Sequence, residues 1–276
     1  MGVFAPNLTV TADDFGIGVE TSRGIVDCFR SGAIDATSVM TVTGTRLERS
    51  LPLLEGVGGL RLGLHLTLTS PAGRPLVATR ATGLVARGGT FRGLGELYQL
   101  CSLGRVDRGG VRDEILAQVE RFRRLLESAP GHVDAHHHAH QLPVVREVVA
   151  ELVAGGQLPA VVRSTVEPAE TWAVAGDRVR RGAIRHLGVR ARPMLLAAGA
   201  KLTDGFCGVL SKSMLGRADP WSAYREALPE GGRWEVMVHP GYLDGELEGR
   251  DTYRGSRVVE LTALLRLGAR KAPAAM

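Results

Sequence analysis

The chain has 276 residues, of which 44% are hydrophobic and 23% charged, and its formal net charge is +5. This composition indicates a globular protein and excludes collagen-like and low-complexity classes. No stretch approaches the roughly 18 unbroken apolar residues of a membrane span, and the first sixteen residues lack the pattern of a signal peptide. We therefore expect a cytoplasmic protein with no membrane partner. Three cysteines at wide spacing fit neither a disulfide framework nor a cysteine-based zinc site.

The basic charge is carried largely by arginine, and its densest run covers residues 177–192. That run has no interleaved aromatic residues on which bases could stack. We interpret it as a solvated basic face and expect no nucleic-acid partner.

The first quarter of the chain predicts strands and helices in alternation. The pattern gives a strand over 7–16, a helix over 19–32 that ends at Gly32, a strand over 33–42, a helix over 47–57 interrupted near Pro52, and a strand over 60–69. Residues 70–93 are rich in Gly, Pro, Arg and Thr and have no clear period. A loop of this length usually shapes a binding site, so we expect a substrate-shaping insertion over about 70–105.

The rest of the chain continues the alternation. It predicts helices over 111–128, 142–155 and 256–268, strands over 159–164 and 233–241, and a strand that ends in the histidine tract "HVDAHHHAH" of residues 132–140. Alternating strands and helices indicate βαβ units and a parallel sheet. With no linker or internal repeat, the expected organisation is a single α/β domain over 1–276.

Polar residues mark the ends of the predicted strands. They are Asp13 and Asp14, His65, the tract from His136 to His140, and His239. In α/β barrels and open α/β sheets, functional groups gather at the carboxyl ends of the strands. We therefore expect these clusters to meet on one rim.

Two histidines and a carboxylate with open coordination positions are typical of a catalytic metal site. Asp14, His65 and one histidine of the tract could supply these ligands. Because alternate residues of a strand share a face, His136 and His138 are both ligand candidates. Asp134 has the same parity and could orient a ligand imidazole. In the alternative interpretation, His65 is a hydrogen-bonded core residue and the tract binds metal adventitiously.

With Asp14 on the metal, Asp13 remains available as a general base toward metal-activated water. His239, in "MVHPGY", is placed to protonate a leaving group. Arg163, on a neighbouring predicted strand, could pair with Asp13 and keep it ionised. The sequence contains no G-x-S-x-G elbow and no phosphate-binding loop, so water activated by a metal is the mechanism that remains.

Five motifs in order carry a family resemblance. "TADDFG" (11–16), "GLHLTLT" (63–69) followed by "GRPL", "HVDAHHHAH" (132–140), "TDGFCG" (203–208) and "VMVHPGY" (236–242) resemble the motifs of the YdjC-like (ChbG-type) carbohydrate deacetylases. The resemblance implies a distorted TIM-like (β/α) barrel and metal-dependent removal of the acetyl group from an N-acetylated amino sugar, such as an N-acetylglucosamine-containing oligosaccharide or glycoconjugate.

Carried over by position, the resemblance implies one divalent ion, zinc or magnesium, held by Asp14, His65 and His136. It thus favours His136 over His138, and it implies that Asp13 is the base and His239 the acid or a substrate contact. Asp134, His138 and Arg163 would then lie behind the ligands or against the substrate. Thr11 and Ala135 depart from the family's pattern, but neither position is a ligand.

Two other functions and the assembly stay open at this stage. The same site could serve a metal-dependent phosphoesterase or another amidohydrolase, and a non-catalytic protein could keep such a site to bind a sugar or metal. A homodimer is possible.

Overall fold

The computed structural model describes residues 7–174, 176–210, 220–249 and 251–269. Its centre is a sheet of six parallel strands with the spatial order β4-β3-β2-β1-β6-β5. The strands are β1 (Leu8–Phe15), β2 (Ala36–Val39), β3 (Arg61–Leu66), β4 (Val133–Ala135), β5 (Gly205–Cys207) and β6 (Trp234–Val238). Strands β2, β4, β5 and β6 are buried along their whole length, as expected for a parallel sheet covered on both faces.

The sheet curls beyond its edge strands. Isolated parallel bridges join Val133 to Val162 and Val161 to Lys201, so backbone pairing continues from β4 toward the segment that leads into β5. The fold is therefore of the α/β class, as the sequence pattern predicted, and a distorted TIM-like (β/α) barrel, as the family resemblance implied.

Eight described helices surround the sheet. They are α1 (Val19–Arg30), α2 (Thr45–Ser50), α3 (Leu94–Ser102), α4 (Arg108–Leu126), α5 (Val145–Ala154), α6 (Arg178–Ala197), α7 (Pro220–Ala227) and α8 (Arg254–Ala269). Helix α4 shows how local sequence sets a boundary: the carboxylate of Asp107 accepts from the backbone N–H groups of Gly109 and Gly110 and caps its first turn. No described helix combines the length and the apolar character that a membrane span needs.

Most predicted elements are present, with shorter strands. The helix that was expected to break near Pro52 ends at Ser50 and continues as a 3₁₀ turn over Leu51–Leu54. Gly32 follows α1 with a φ of +78°, the conformation for which its missing side chain suits it. The predicted strand over 159–164 is wrong, because Val161 and Val162 form only the two isolated bridges.

The prediction that the arginine-rich stretch is a solvated face holds for only part of it. It forms α6, and Arg181 on that helix is 1% exposed. Its guanidinium donates to both carboxylate oxygens of Glu167 at 2.9 and 2.6 Å. The prediction of a uniformly solvated face is therefore wrong at Arg181, since a buried arginine needs a carboxylate partner that the local pattern does not reveal.

The segment over 70–105, predicted to be an insertion, is anchored to α4 by one buried carboxylate. Glu114, fully buried, accepts hydrogen bonds from the backbone N–H groups of Leu76, Val77 and Ala78 at 2.9 to 3.1 Å. The carboxylate satisfies backbone donors that have no strand or helix partner. The "GRPL" segment is thereby held against the barrel.

Candidate active site

Asp13 and Asp14 lie where β1 departs from regular geometry. The pairing of β1 with β2 shifts register between Ala12 and Phe15, and Asp14 has a φ of +72°. Irregularities of this kind re-aim side chains next to functional sites, and aspartate tolerates the left-handed conformation better than most residues. Both carboxylates therefore reach the carboxyl end of the sheet, although neighbouring residues in a regular strand point to opposite faces.

Behind the strand ends lies an inner cluster of Asp13, Asp134 and Glu235 around Arg163. The guanidinium donates to Oδ2 and Oδ1 of Asp13 at 2.6 and 2.7 Å, and its Nε donates to Glu235 at 2.9 Å. Nη2 also lies 2.7 Å from Oδ2 of Asp134. Arg163 is 3% exposed. One buried cation thus faces three carboxylates, so the inner cluster keeps a formal negative charge.

In front of this group lies an outer cluster of Asp14, His65 and His136. Oδ1 of Asp14 is 3.1 Å from Nε2 of His65 and 3.1 Å from Nδ1 of His136. Oδ2 of Asp14 accepts from Arg257 at 2.6 Å. Although burial opposes ionisation, Arg257 and His136 hold the pKa of Asp14 well below its usual range. Asp14 is therefore a carboxylate that presents one oxygen to two imidazoles.

The donor atoms of the outer cluster suit a divalent cation. They lie within 4.8 Å of one another and combine one carboxylate with two imidazoles. Nδ1 of His65 is 2.7 Å from Asp134, which leaves Nε2 toward Asp14, buried and without a hydrogen bond of acceptable geometry. A carboxylate behind a ligand imidazole is a common arrangement in metal sites.

The carboxylates around His65 favour a positive charge at its ring. Burial lowers the pKa of His65, but the carboxylates of Asp134 and Asp13 outweigh that effect and raise it to about 10. A proton on the ring thus offsets part of the surrounding negative charge, and a divalent ion at Nε2 would take over that role.

A second group of potential ligands, Asp13, His65 and Asp134, has equally close donor atoms. The guanidinium of Arg163 already contacts both aspartates. All four carboxylate oxygens of this group already face Arg163 or His65, which disfavours a metal ion there. Only the outer cluster of the described residues therefore offers an open donor set.

The histidine tract does not extend the strand as predicted. β4 ends at Ala135, and residues 136–141 form a 3₁₀-type turn in which His137 and His138 have φ values of +54° and +55°. The prediction that alternate histidines share a face is therefore wrong. His136 turns toward Asp14, whereas His138 packs edge-on against Phe206, with ring centroids 5.4 Å apart. Nε2 of His140 bonds the backbone oxygen of Arg163 at 3.0 Å.

His239 follows β6 directly, and about a fifth of its side chain remains exposed. Its backbone N–H donates to Glu260 at 2.6 Å, and its ring packs against Tyr253 at a centroid distance of 5.1 Å. Burial lowers the pKa of His239 to about 4, although Asp14 and Asp13 act in the opposite direction. The imidazole is therefore neutral at pH 7.

Sequence reasoning missed several residues that contact the predicted ones, and three of them stand out. Ser38 on β2 lies 3.3 Å from Asp13 and 3.0 Å from His65. Arg257 and Glu260 on α8 are 2% and 1% exposed and contact Asp14 and His239. Their i, i+3 spacing is the usual signal of an exposed ion pair on a helix surface. Only their burial shows that they face the site.

Both aspartates of β1, all three residues of the outer cluster and His239 line one cavity of about 950 Å³. Its wall includes Pro71 and Ala72 from the segment over 70–105, side chains of α3 and α6, and the segment 208–210. His138 also lines it, whereas Asp134 and Arg163 do not. The cavity therefore combines a polar floor with a large volume for a ligand.

Comparisons with known proteins agree on one family. The sequence signature described as YdjC-like protein matches residues 7–273. A mouse carbohydrate deacetylase is 36% identical over 85% of this chain and 78% of its own, and the human protein of the same name is 34% identical over 93% and 84%. A chitooligosaccharide deacetylase of Escherichia fergusonii is 27% identical over 93% and 90%.

One solved structure supports the fold. A crystal structure of an Enterococcus faecalis protein, named for cellobiose-phosphate cleavage, superposes with a TM-score of 0.69. It is 20% identical and covers 94% of this chain and 90% of its own. At this identity the likeness concerns the architecture alone.

Proposed function

Because the chain belongs to the YdjC-like family, we propose that it is a carbohydrate deacetylase, a hydrolase that removes the acetyl group from an N-acetylated amino sugar. The substrate class is N-acetylglucosamine-containing oligosaccharides or glycoconjugates, and the cofactor is one divalent ion, zinc or magnesium. The mouse, human and Escherichia fergusonii proteins are named as deacetylases of carbohydrates or chitooligosaccharides, which supports this reaction class.

One observation carries the proposal. The open donor set of Asp14, His65 and His136 lies beside Asp13, at a cavity that His239 also lines. The three donors would hold the ion. When bound, a divalent ion supplies polarisation of the acetyl carbonyl and a lower pKa of water.

Asp13 and His239 then carry out the proton transfers. Asp13, with both oxygens bonded to Arg163, is a fixed carboxylate that accepts a proton from the attacking water. His239 delivers a proton to the nitrogen of the departing amino sugar. Because the imidazole is neutral at pH 7, it first takes up the proton that Asp13 accepted from the water and only then donates it to the nitrogen. The balance is one proton moved from water to nitrogen as the C–N bond breaks.

Asp134 and Arg163 serve as positioning residues in this proposal. Asp134 fixes the ring of His65 through Nδ1, and Arg163 joins Asp134 to Asp13. His138 faces the cavity, where it can contact substrate.

The test separates the two neighbouring aspartates. We expect Asp13→Asn to keep its bound metal and to lose acetate release by about 10²–10⁴-fold, the usual scale for removal of a general base. We expect Asp14→Asn to lose the metal itself. Metal content by elemental analysis and acetate release from N-acetylglucosamine oligomers are the two measurements.

Asp204→Asn is the matched control, because the Asp204 side chain is half exposed and lies outside the cavity. It should leave both quantities unchanged. Acetate release by Asp13→Asn within tenfold of the wild type would remove Asp13 as the base. An unchanged metal content in Asp14→Asn would remove Asp14 as a ligand.

The alternative function, a phosphoesterase, is disfavoured by the number of metal-ligand groups. Two-metal phosphoesterases hold their ions about 3.5–4 Å apart, which requires a second donor set. In the described part of the chain, the second group already contacts Arg163. A stoichiometry of two ions per chain would favour that alternative.

A further inference from the structure

The mouth of the cavity carries exposed apolar side chains on α3. Leu94 and Tyr98 are 38% and 47% exposed, and both line the cavity. Their i, i+4 spacing places them side by side on one face of the helix. Two neighbouring exposed side chains that also line a cavity are placed to contact a ligand that enters it.

A second apolar wall is provided by α6 and its neighbours. Ile184 and Leu187 are half-buried, lie one turn apart on α6 and line the same cavity. Leu142, Val209 and Leu210 continue this lining as nearly fully buried core side chains. Two helices from sequence-distant regions thus contribute aliphatic groups to one space.

Among the described residues that line the cavity, the polar side chains are placed differently from the apolar ones. Apart from the clusters and His239 at its floor, His137 and His138, and the hydroxyl of Tyr98, they are confined to Asp177, Arg180 and His186 of the α6 region and to residues 251–257. Asp251 is already bonded to Arg257 and to the backbone N–H of Tyr253.

This distribution bears on what the cavity can hold. A sugar ring exposes several hydroxyl groups, and burying any of them without a hydrogen-bond partner is energetically unfavourable. A chain of sugar rings would need a polar partner wherever one of its hydroxyl groups is buried. Leu94, Ile184 and Leu187 offer none through their side chains, whereas they suit an alkyl or aryl group.

We propose that the substrate joins an N-acetylated amino sugar to an apolar aglycone, an alkyl, acyl or aryl group that lies against Leu94 and Tyr98 of α3 and Ile184 and Leu187 of α6. The inference rests on the proposed deacetylase function and specifies its substrate. The acetamido group faces the polar floor, and the aglycone extends along the apolar walls.

The test is a homologous series of substrates. The metal-loaded enzyme is assayed for acetate release from the methyl, propyl, butyl and hexyl glycosides of N-acetylglucosamine, and from di-, tri- and tetrasaccharides of N-acetylglucosamine. We expect kcat/KM to rise about threefold to fourfold for each methylene group that becomes buried. We expect little change along the oligosaccharide series.

Paired variants locate the effect. Leu94→Gln should lower kcat/KM for the hexyl glycoside about tenfold more than it lowers the value for the methyl glycoside. Leu103→Gln is its control, because Leu103 follows α3, is 56% exposed and does not line the cavity. Leu187→Gln and Leu196→Gln form a second pair on α6, where Leu196 is 48% exposed and outside the cavity.

Two results would overturn the inference, and they are distinguishable. A kcat/KM that is flat with alkyl length but rises with each added sugar overturns the apolar aglycone and leaves the deacetylase function standing. Absence of acetate release from every glycoside by metal-loaded enzyme overturns the deacetylase function and the inference with it.

Discussion

The inner and outer clusters use arginine in opposite ways. In the inner cluster, Arg163 bonds both oxygens of Asp13 and also contacts Asp134 and Glu235. In the outer cluster, Arg257 bonds only Oδ2 of Asp14 and leaves Oδ1 toward the imidazoles. Two adjacent aspartates on one strand thus have different arginine contacts, which suits the different tasks proposed for them. The position of a guanidinium decides which carboxylate stays available to a metal.

The largest expected effect comes from removing the cation of the inner cluster. Arg163→Met keeps side-chain volume but leaves three buried carboxylates with no arginine. We expect the free energy of unfolding to fall by about 3–5 kcal/mol, the scale for breaking a buried ion pair on one side. Urea denaturation followed by circular dichroism measures it.

Arg61→Met is the control for this loss, because Arg61 is exposed and makes only long hydrogen bonds. Its stability should stay within about 0.5 kcal/mol of the wild type. If Arg163→Met also stays within 1 kcal/mol, the inner cluster is not held together by that guanidinium.

Glu260 sharpens the comparison, because it is a buried carboxylate without a bonded arginine. Its partners are the backbone N–H of His239 and the hydroxyl of Tyr253, while Arg257 and Asp13 act at longer range. Burial raises the pKa of Glu260 from 4.5 to about 7. The folded state therefore holds a proton that the unfolded state releases, and the contribution of Glu260 to stability falls as pH rises from about 4.5 to 7.

We expect Glu260→Gln to lack this contribution to the pH dependence. Between pH 4.5 and 7.5 the wild type should lose roughly 3 kcal/mol of stability that the variant does not lose. The free energy of unfolding of the variant minus that of the wild type should therefore increase by this amount. Urea denaturation at several pH values gives the difference curve, in which groups common to both proteins cancel. A difference that is constant over this range would show that Glu260 does not titrate there.

The smallest of these effects concerns Arg257, which contacts the oxygen of Asp14 that does not face the imidazoles. Arg257→Met should weaken metal affinity about 10–100-fold, because partners of ligand residues fix their orientation. Competition with a chromophoric chelator measures the affinity.

Arg254→Met changes the same helix one turn away, at a side chain whose ion-pair partner Glu248 is largely exposed, and should leave the affinity unchanged. If Arg257→Met binds metal as well as Arg254→Met does, the guanidinium neutralises Asp14 without orienting it.

Residue pattern by itself was sufficient for the class of fold and for most strand ends. Alternating strands and helices predicted the parallel α/β architecture, and the predicted strands placed Asp14, His65 and His239 at one rim of it. These predictions worked because hydrophobic periodicity reflects burial directly, and because parallel strands bring their carboxyl ends to the same edge.

Tertiary structure alone decided the details of the site. A left-handed turn at His137 and His138 replaced the predicted strand, so alternation of faces could not identify which histidine meets Asp14. Arg257 and Glu260 arrive from α8, more than 200 residues away from β1. Local pattern cannot encode such contacts, because a charged residue on a helix has the same spacing whether it faces water or a buried carboxylate.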